Sequence, residues 1–419
     1  MRIVMKFGGT SVADIGRIRN AARFVKRAVD DGKSVVVIVS AMAGETNKLV
    51  GLCRDAGPPA PALDARDVEY DVVVASGEQV TSGLMALVLQ NMGYRARSWQ
   101  GWQIPLETDD AHGRARIARI NPPGLIEAID GGEIAVVSGF QGVTPDARVS
   151  TLGRGGSDTT AVAMAAAIAA DTCDIYTDVD GVYTTDPRIH KSARRIDRIS
   201  FEEMLEMASV GAKVLQTRSV ELAMAHKVRL RVLSSFDPPE DPGPGTLICD
   251  EDEIVEKKIV SGVTLQRDEA NVSVLSVPDE AGKAAAVFTM LGAAGINVDM
   301  IVQGPSRNAG SANLSFTIPE ADLDRAVALL ADAKAQIGYS ALHSERSLVK
   351  VSVIGVGMKS HAGVAATMFG TLGDKGINIR NISTSEIKIS VLIGSEYAEL
   401  AVRALHQAYG LDRPPGGAQ

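Results

Sequence analysis

The feature that most constrains this fold is a duplication in the carboxyl-terminal part of the chain. "FTMLGAAGINVDMIVQ" (Phe288–Gln303) aligns with "FGTLGDKGINIRNIST" (Phe369–Thr384). Each copy follows an alternating strand pattern, "NVSVLSV" (Asn271–Val277) and "KVSVIGV" (Lys350–Val356). Each runs on into another strand, "ANLSFTI" or "IKISVLI", and then a helical pattern. That is βαββα twice, which predicts two ferredoxin-like α+β units of about 70 residues. We place them at 262–340 and 345–419. Spacing leaves open whether the copies stand in order or exchange their outer strands.

Before the duplication the pattern changes. "RIVMKFGG" reads as a strand ending in a glycine turn, and Ser11 stands where a helix N-cap would be. Ile15, Ile18, Ala22, Val25 and Val29 then recur at helical spacing. "SVVVIVSAMAG", "EIAVVSGF", "TCDIYTD" and "RLRVLSSF" are β-branched runs with little polar alternation, as expected of strands covered on both faces. Strands alternating with helices over 1–245 predict an α/β three-layer αβα sandwich around a mainly parallel open sheet. "FDPPEDPGPGT" (Phe236–Thr246) is the expected domain boundary. "GPPAPALDARD" (Gly57–Asp67) reads as a surface loop and "RPPGGAQ" as a frayed tail.

The net charge of -8 argues against a nucleic-acid-binding surface. Three scattered cysteines without CxxC spacing argue against a disulfide framework or a zinc site and fit a reducing cytoplasm. No signal peptide is expected, and apolar windows such as "AVAMAAAIAA" are too short for a bilayer.

Four stretches carry chemistry. In "TLGRGGSDTT" (Thr151–Thr160) the glycines permit positive φ and close approach, and Ser157 or Asp158 can cap the next helix. The helix start attracts an anion, and Arg154 adds a fork suited to a carboxylate or phosphate. The same residues also suit a plain left-handed turn with a surface arginine. "KFGGTS" (Lys6–Ser11) is another anion cradle, but not a Walker A loop, because its lysine precedes the glycines. In "SGEQVTSG" Glu78 follows a Ser-Gly turn and precedes an apolar helix, where it could be only a first-turn carboxylate. In "YTDVDGVYTTDPR" a buried strand ends in Thr177-Asp178 and opens into a polar stretch with Tyr183 and Arg188. Ligand crevices in open α/β sheets lie beyond such strand ends.

Together these stretches resemble the amino acid kinase family, and within it the aspartokinases. "KFGGTSVAD", "VSAMAGETN", "SGEQV", "GFQG", "TLGRGGSDTTA", "YTDVDGVYTTDPR" and "GAKVL" occur in the family's order, and the duplicated part resembles its paired ACT domains. The resemblance implies the amino acid kinase fold followed by two ACT domains. It implies transfer of the γ-phosphoryl of MgATP to the β-carboxylate of L-aspartate, with ATP and Mg2+ required and the ion held mostly by ATP oxygens and water. A carboxylate needs no general base, so the step depends on positioning and charge neutralisation.

By the same resemblance Lys6, Asp158 and Lys213 are catalytic, with Asp158 orienting the two lysines. Aspartate falls to Thr46, Glu78, Arg154, Gly155, Gly156 and Ser157, with Glu78 on the ammonium and Arg154 on a carboxylate. ATP falls to Lys6, Gly8, Gly9, Ser40, Thr177, Asp178, Tyr183, Arg188 and Lys213. Asp279, Asn297, Gln303, Asn378, Ser385 and Glu386 match positions that bind an effector amino acid, lysine or threonine. Asn297 and Asn378 also suit plain turns after Gly-Ile. The resemblance further implies homo- or hetero-oligomers through ACT edges and no resident metal, membrane or nucleic-acid partner. Departures from the family pattern are Gln216-Thr217, where many relatives carry His-Pro, and Asn47, where Asp is common. The competing readings are an amino acid kinase with another acceptor and a non-catalytic amino acid sensor.

Overall fold

The structure is a computed structural model that describes residues 1–57, 66–212, 214–254, 259–356, 358, 361 and 363–413. Most of the expected loop after Gly57 and nearly all of the expected tail lie outside the described residues. The chain divides into two compact units. The first comprises Met1–Val182, Arg195–Ala208 and Lys213–Glu256, the second Tyr183–Arg194, Ser209–Ala212 and Lys257–Gln419.

The first unit is built on an eight-stranded sheet. Its order is β10 (Arg198–Ser200), β12 (Thr246–Cys249), β11 (Leu230–Ser234), β9 (Thr172–Thr177), β1 (Arg2–Phe7), β2 (Ser34–Val39), β6 (Ile134–Ser138) and β3 (Ala96–Trp99). Every pairing from β11 to β3 is parallel, and only β12 turns antiparallel to β11. The sheet thus continues past the proline-rich stretch, and β12 lies within this unit. A four-stranded sheet, β5 (Ile117–Ile120), β4 (Leu106–Thr108), β7 (Gln141–Val143) and β8 (Val149–Thr151), lies in the same unit.

Alternation along β1 explains the layering. Ile3, Met5 and Phe7 enter one core with Ile18, Phe24 and Val25 of helix α1 (Ile15–Asp30) and Met85 and Leu89 of helix α3 (Arg66–Asn91). Val4 and Lys6 point to the opposite face, against which helix α5 (Gly156–Ala167) packs. Phe7 stacks on its cross-strand partner Tyr176 at 4.8 Å, and Phe24 closes the cluster. By length and composition α3 contains the one span among the described residues that could cross a membrane. Half of its most apolar window is buried against the unit, so apolarity here serves the core.

Local capping differs from the sequence expectation in three places. Ser11 is not a helix N-cap. It lies in a short 3-10 turn, Gly9–Val12, while Asp14 caps α1 by accepting from Arg17 N at 2.8 Å. Neither Ser157 nor Asp158 caps α5, because Gly155, at φ +72°, takes that place. Glu78 does not open a helix after a turn. Helix α3 runs straight through Ser76-Gly77, and tertiary packing overrides the weak propensities of those residues.

The second unit is a six-stranded antiparallel sheet in the order β14 (Asp299–Pro305), β15 (Ser311–Pro319), β13 (Gly262–Pro278), β16 (Ala341–Ile354), β18 (Lys388–Gly394) and β17 (Ile379–Thr384). Helices α8 (Lys283–Ala293) and α9 (Leu323–Asp332) belong to the first repeat, α11 (Gly363–Asp374) and α12 (Ala398–Ala408) to the second. Strand β13 serves both. Val263 packs into the core of the second repeat with Val351, Val391 and Leu405. Ala270, Val272 and Val274 pack into that of the first with Phe316, Leu291 and Leu330. The changeover falls where register shifts near Glu269 and Asp268 adopts φ +64°.

Phe316 is fully buried and meets Phe288 edge-on at 5.5 Å. Phe316→Ala is expected to cost about 3–5 kcal/mol, read as a lowered urea midpoint of the full chain. A midpoint within error of the parent sequence would show that this core does not hold the first repeat together.

Candidate active site

The site forms where the parallel strands end. Strands β1, β2, β6 and β9 all present their carboxyl ends at one edge of the sheet. The winding reverses at β1, with β2 on one side and β9 on the other, and such a switch point opens a crevice. Gly8 crosses it, its N–H donating to Tyr176 O at 3.2 Å. A β-carbon on Gly8 would stand 3.5 Å from Lys6 Nζ, and one on Gly9 3.1 Å from Ala41 O. The two glycines, both half-buried, therefore bring backbone close to the lysine with no side chain between them.

Lys6 Nζ lies 2.5 Å from Asp158 Oδ1, and both side chains are nearly buried. Asp158 sits in the first turn of α5, whose aligned peptide dipoles add positive potential beside the pair. The turn leading into α5 carries Arg154, which is exposed. Gly153 at φ +74° and Gly155 at φ +72° let the chain fold tightly around it. Ser157 is buried against Gly139, where a β-carbon would come within 2.8 Å of the serine side chain. Gly139, at the end of β6, is a site residue that the sequence reading did not single out; the glycine within "GFQG" was the available signal.

Glu78 reaches the same edge from the middle of α3. Its Oε1 accepts from Ala41 N at 2.9 Å, just past β2. Its Oε2 is buried without a hydrogen-bond partner among the described residues. Burial pushes the carboxyl up to about 7, with the Ala41 N–H pulling the other way. A buried carboxylate with one unpaired oxygen is an acceptor poised for a cation. Ser40 follows β2 directly, and Thr46 lies in the first turn of helix α2 (Glu45–Asp55), both half-buried.

Thr177 ends β9 and donates through its hydroxyl to Asp178 at 3.2 Å. Lys213 lies outside the described residues. Tyr183 and Arg188 belong to the segment that groups with the second unit. There Arg188 forms an exposed pair with Asp186 at 2.8 Å. The structure thus gathers Lys6, Gly8, Gly9, Ser40, Glu78, Ser157, Asp158 and Thr177 along one edge.

In the second unit, Asp279 and Gln303 line one cavity of about 240 Å3 at the start of α8, with Glu280, Gly282 and Lys283. Asn297 and Asn378 are exposed and follow turns whose glycines, Gly295 and Gly376, have positive φ. Ser385 bonds within its own turn, its N–H donating to Lys388 O at 2.8 Å, and Glu386 is exposed beside it. None of these four lines the cavity.

An open parallel sheet with a lysine-glycine turn at its switch point, followed by a duplicated βαββα unit, defines a small-molecule kinase with an appended α+β pair. Comparison agrees. Residues 1–234 match the amino acid kinase family, and 272–333 and 351–409 match the ACT domain. The chain is 49% identical over 416 residues to an aspartate kinase of Stutzerimonas stutzeri, covering 99% of this chain and 98% of that one. It is also 49% identical to an aspartokinase of Pseudomonas aeruginosa, with 98% of each chain covered. Among solved structures it is similar to E. coli aspartokinase III in complex with aspartate and ADP, at TM-score 0.77 and 29% identity. That match covers 97% of this chain and 99% of the other. The chain belongs to the aspartokinases of the amino acid kinase family.

Removing the cation from a buried pair strands its carboxylate. Lys6→Met is therefore expected to cost about 3 kcal/mol at neutral pH, and Lys6→Met/Asp158→Asn to regain most of it. Urea unfolding of both variants checks this, and equal stabilities would show that Asp158 does not depend on Lys6.

Proposed function

We propose that the chain transfers the γ-phosphoryl of MgATP to the β-carboxylate of L-aspartate, forming 4-phospho-L-aspartate. This is the first step towards lysine, threonine, methionine and isoleucine. The observation that carries the reading is the pairing of two different charges on one sheet edge. Lys6, held by Asp158, stands beside the glycine turn, and Glu78, with one oxygen on Ala41 N and the other buried and unpaired, reaches the same sheet edge.

The chemistry follows from those charges. Acceptor and nucleotide are both anionic, so the barrier is repulsion and misalignment rather than weak nucleophilicity. Lys6 neutralises the transferring phosphates with the Gly9 backbone beside it, Gly8, whose N–H is held by Tyr176 O, leaves room at the turn, and Asp158 fixes the ammonium of Lys6. Lys213 supplies a further cation, and Thr177 and Asp178 take the rest of the nucleotide. Glu78 takes the ammonium of aspartate. Arg154 takes a carboxylate, with the backbone of Gly155, Gly156 and Ser157 beside it and Thr46 along the crevice. Mg2+ arrives on ATP oxygens and offsets charge there.

Asp279 and Gln303 hold an effector amino acid at the start of α8, where free N–H groups suit an α-carboxylate. A related structure, E. coli aspartokinase III, is described in complex with lysine and aspartate in a T-state, which supports an amino acid effector. Feedback then requires the effector to favour a less active arrangement. Pairing through exposed ACT strand edges would make the enzyme an oligomer.

Hydroxylamine trapping of acyl phosphate tests the reaction. Aspartate should yield hydroxamate only with ATP, and lysine or threonine should depress the yield. Arg154→Ala should raise KM for aspartate by about 100-fold and KM for ATP by far less. No hydroxamate from aspartate, or an unchanged aspartate dependence in the variant, overturns the assignment.

Glu78 gives a pH signature. Its folded carboxyl ionises near 7, and only the ionised form attracts an ammonium. Aspartate affinity should therefore be full above that pH and fall about tenfold per unit below it. Glu78→Gln should bind weakly at all pH values, without that slope. A slope that survives in the variant assigns the ionisation elsewhere.

A further inference from the structure

The glycines that let the 153–157 turn bend do not determine where it sits. Two side chains outside the motif do. Asp71 is a fully buried carboxylate within the valine-rich start of α3. It accepts from Thr151 N at 2.9 Å, from Thr151 Oγ1 at 2.5 Å and from Gly113 N at 3.1 Å, and it contacts His112 Nδ1 at 2.8 Å. Arg218 lies at the start of helix α7 (Thr217–His226). Its guanidinium donates to Leu152 O at 2.8 Å and to Ala115 O at 2.9 Å. Ala115 N in turn donates to Thr151 O at 2.9 Å. Gln216, just before α7, fills the space beside Gly155, where a β-carbon would come within 2.1 Å of its side chain.

These bonds tie the last residues of β8 and the 112–115 turn into one block immediately before Gly153. A guanidinium placed half inside the protein to bind two backbone carbonyls gains less than one paired to a carboxylate. What the fork supplies is geometry, since it fixes two chain segments at a set separation. We propose that Arg218 is a positioning residue for the acceptor turn. Anchored with Asp71, it sets the height at which Arg154 meets the substrate carboxylate. This rests on the reading of Arg154 given above.

The test is a double-mutant cycle on the full-length chain, with aspartate and ATP varied separately. Arg218→Met should raise KM for aspartate by about 10-fold while KM for ATP stays within about 2-fold. In an Arg154→Ala background the same change should add less than about 2-fold, because it acts through that residue. Arg218→Lys keeps the charge but loses the planar fork, and should fall between parent and Met variant. It also serves as the arm of the cycle if the Met variant fails to fold by thermal melting. Full multiplication of the two effects, or equal loss of affinity for both substrates, overturns the proposal while leaving Arg154 in place. An Arg154→Ala variant with unchanged aspartate dependence removes both the reading and this extension of it.

Discussion

Everything in the first unit is organised around an ammonium and a carboxylate that share a nearly buried position. Lys6 and Asp158 come from a strand end and a helix start far apart in sequence, and neither charge is tolerable there alone. Their pairing requires α5 to begin directly over the end of β1. That demands the tight turn through Gly153 and Gly155 and the absence of side chains at Gly139 and Gly156. The glycines around that turn are thus tied to one electrostatic demand, while the parallel strands beneath are held by the apolar cores.

The second unit obeys a different constraint. Each βαββα repeat has a helical layer on one sheet face, and a strand shared between repeats makes the two cores interdependent. The switch in β13 occurs near Glu269, whose buried carboxylate lies 3.8 Å from the buried Lys350, itself 2.5 Å from Asp299. Polar groups therefore mark the point where apolar packing changes partner. A single strand running through both repeats also joins the Asp279–Gln303 cavity to the remainder of the sheet, since that cavity opens just beyond the end of β13.

Some of the site was legible because its signals are local. Lys6-Phe7-Gly8-Gly9 shows a cation beside a stripped backbone, and Gly153 to Asp158 shows a turn feeding a helix. Strands alternating with helices gave the sheet, and the duplication gave the repeated units. Other features were misread because they depend on distant partners. Ser11, Ser157 and Asp158 are good capping residues by type, yet Asp14 and Gly155 hold those places. Ser-Gly before Glu78 resembles a turn, yet α3 continues through it because its neighbours are packed against the sheet. Asp71 and Arg218 carried no readable signal beyond a lone acid among valines and an arginine at a helix start. Their roles exist only through Thr151, Leu152, Gly113 and Ala115, which lie elsewhere in the chain.

By itself the sequence determined which backbone could bend, which strands were covered on both faces, and which residues carried charge beside a glycine turn. These follow from side-chain size, periodicity and chirality over a few residues. Only the tertiary structure decided that Glu78 would be buried with one oxygen unpaired, that Asp158 would neutralise Lys6, and that β13 would serve two cores. Such outcomes turn on desolvation and on distances between segments far apart in sequence, and a linear pattern does not contain those quantities.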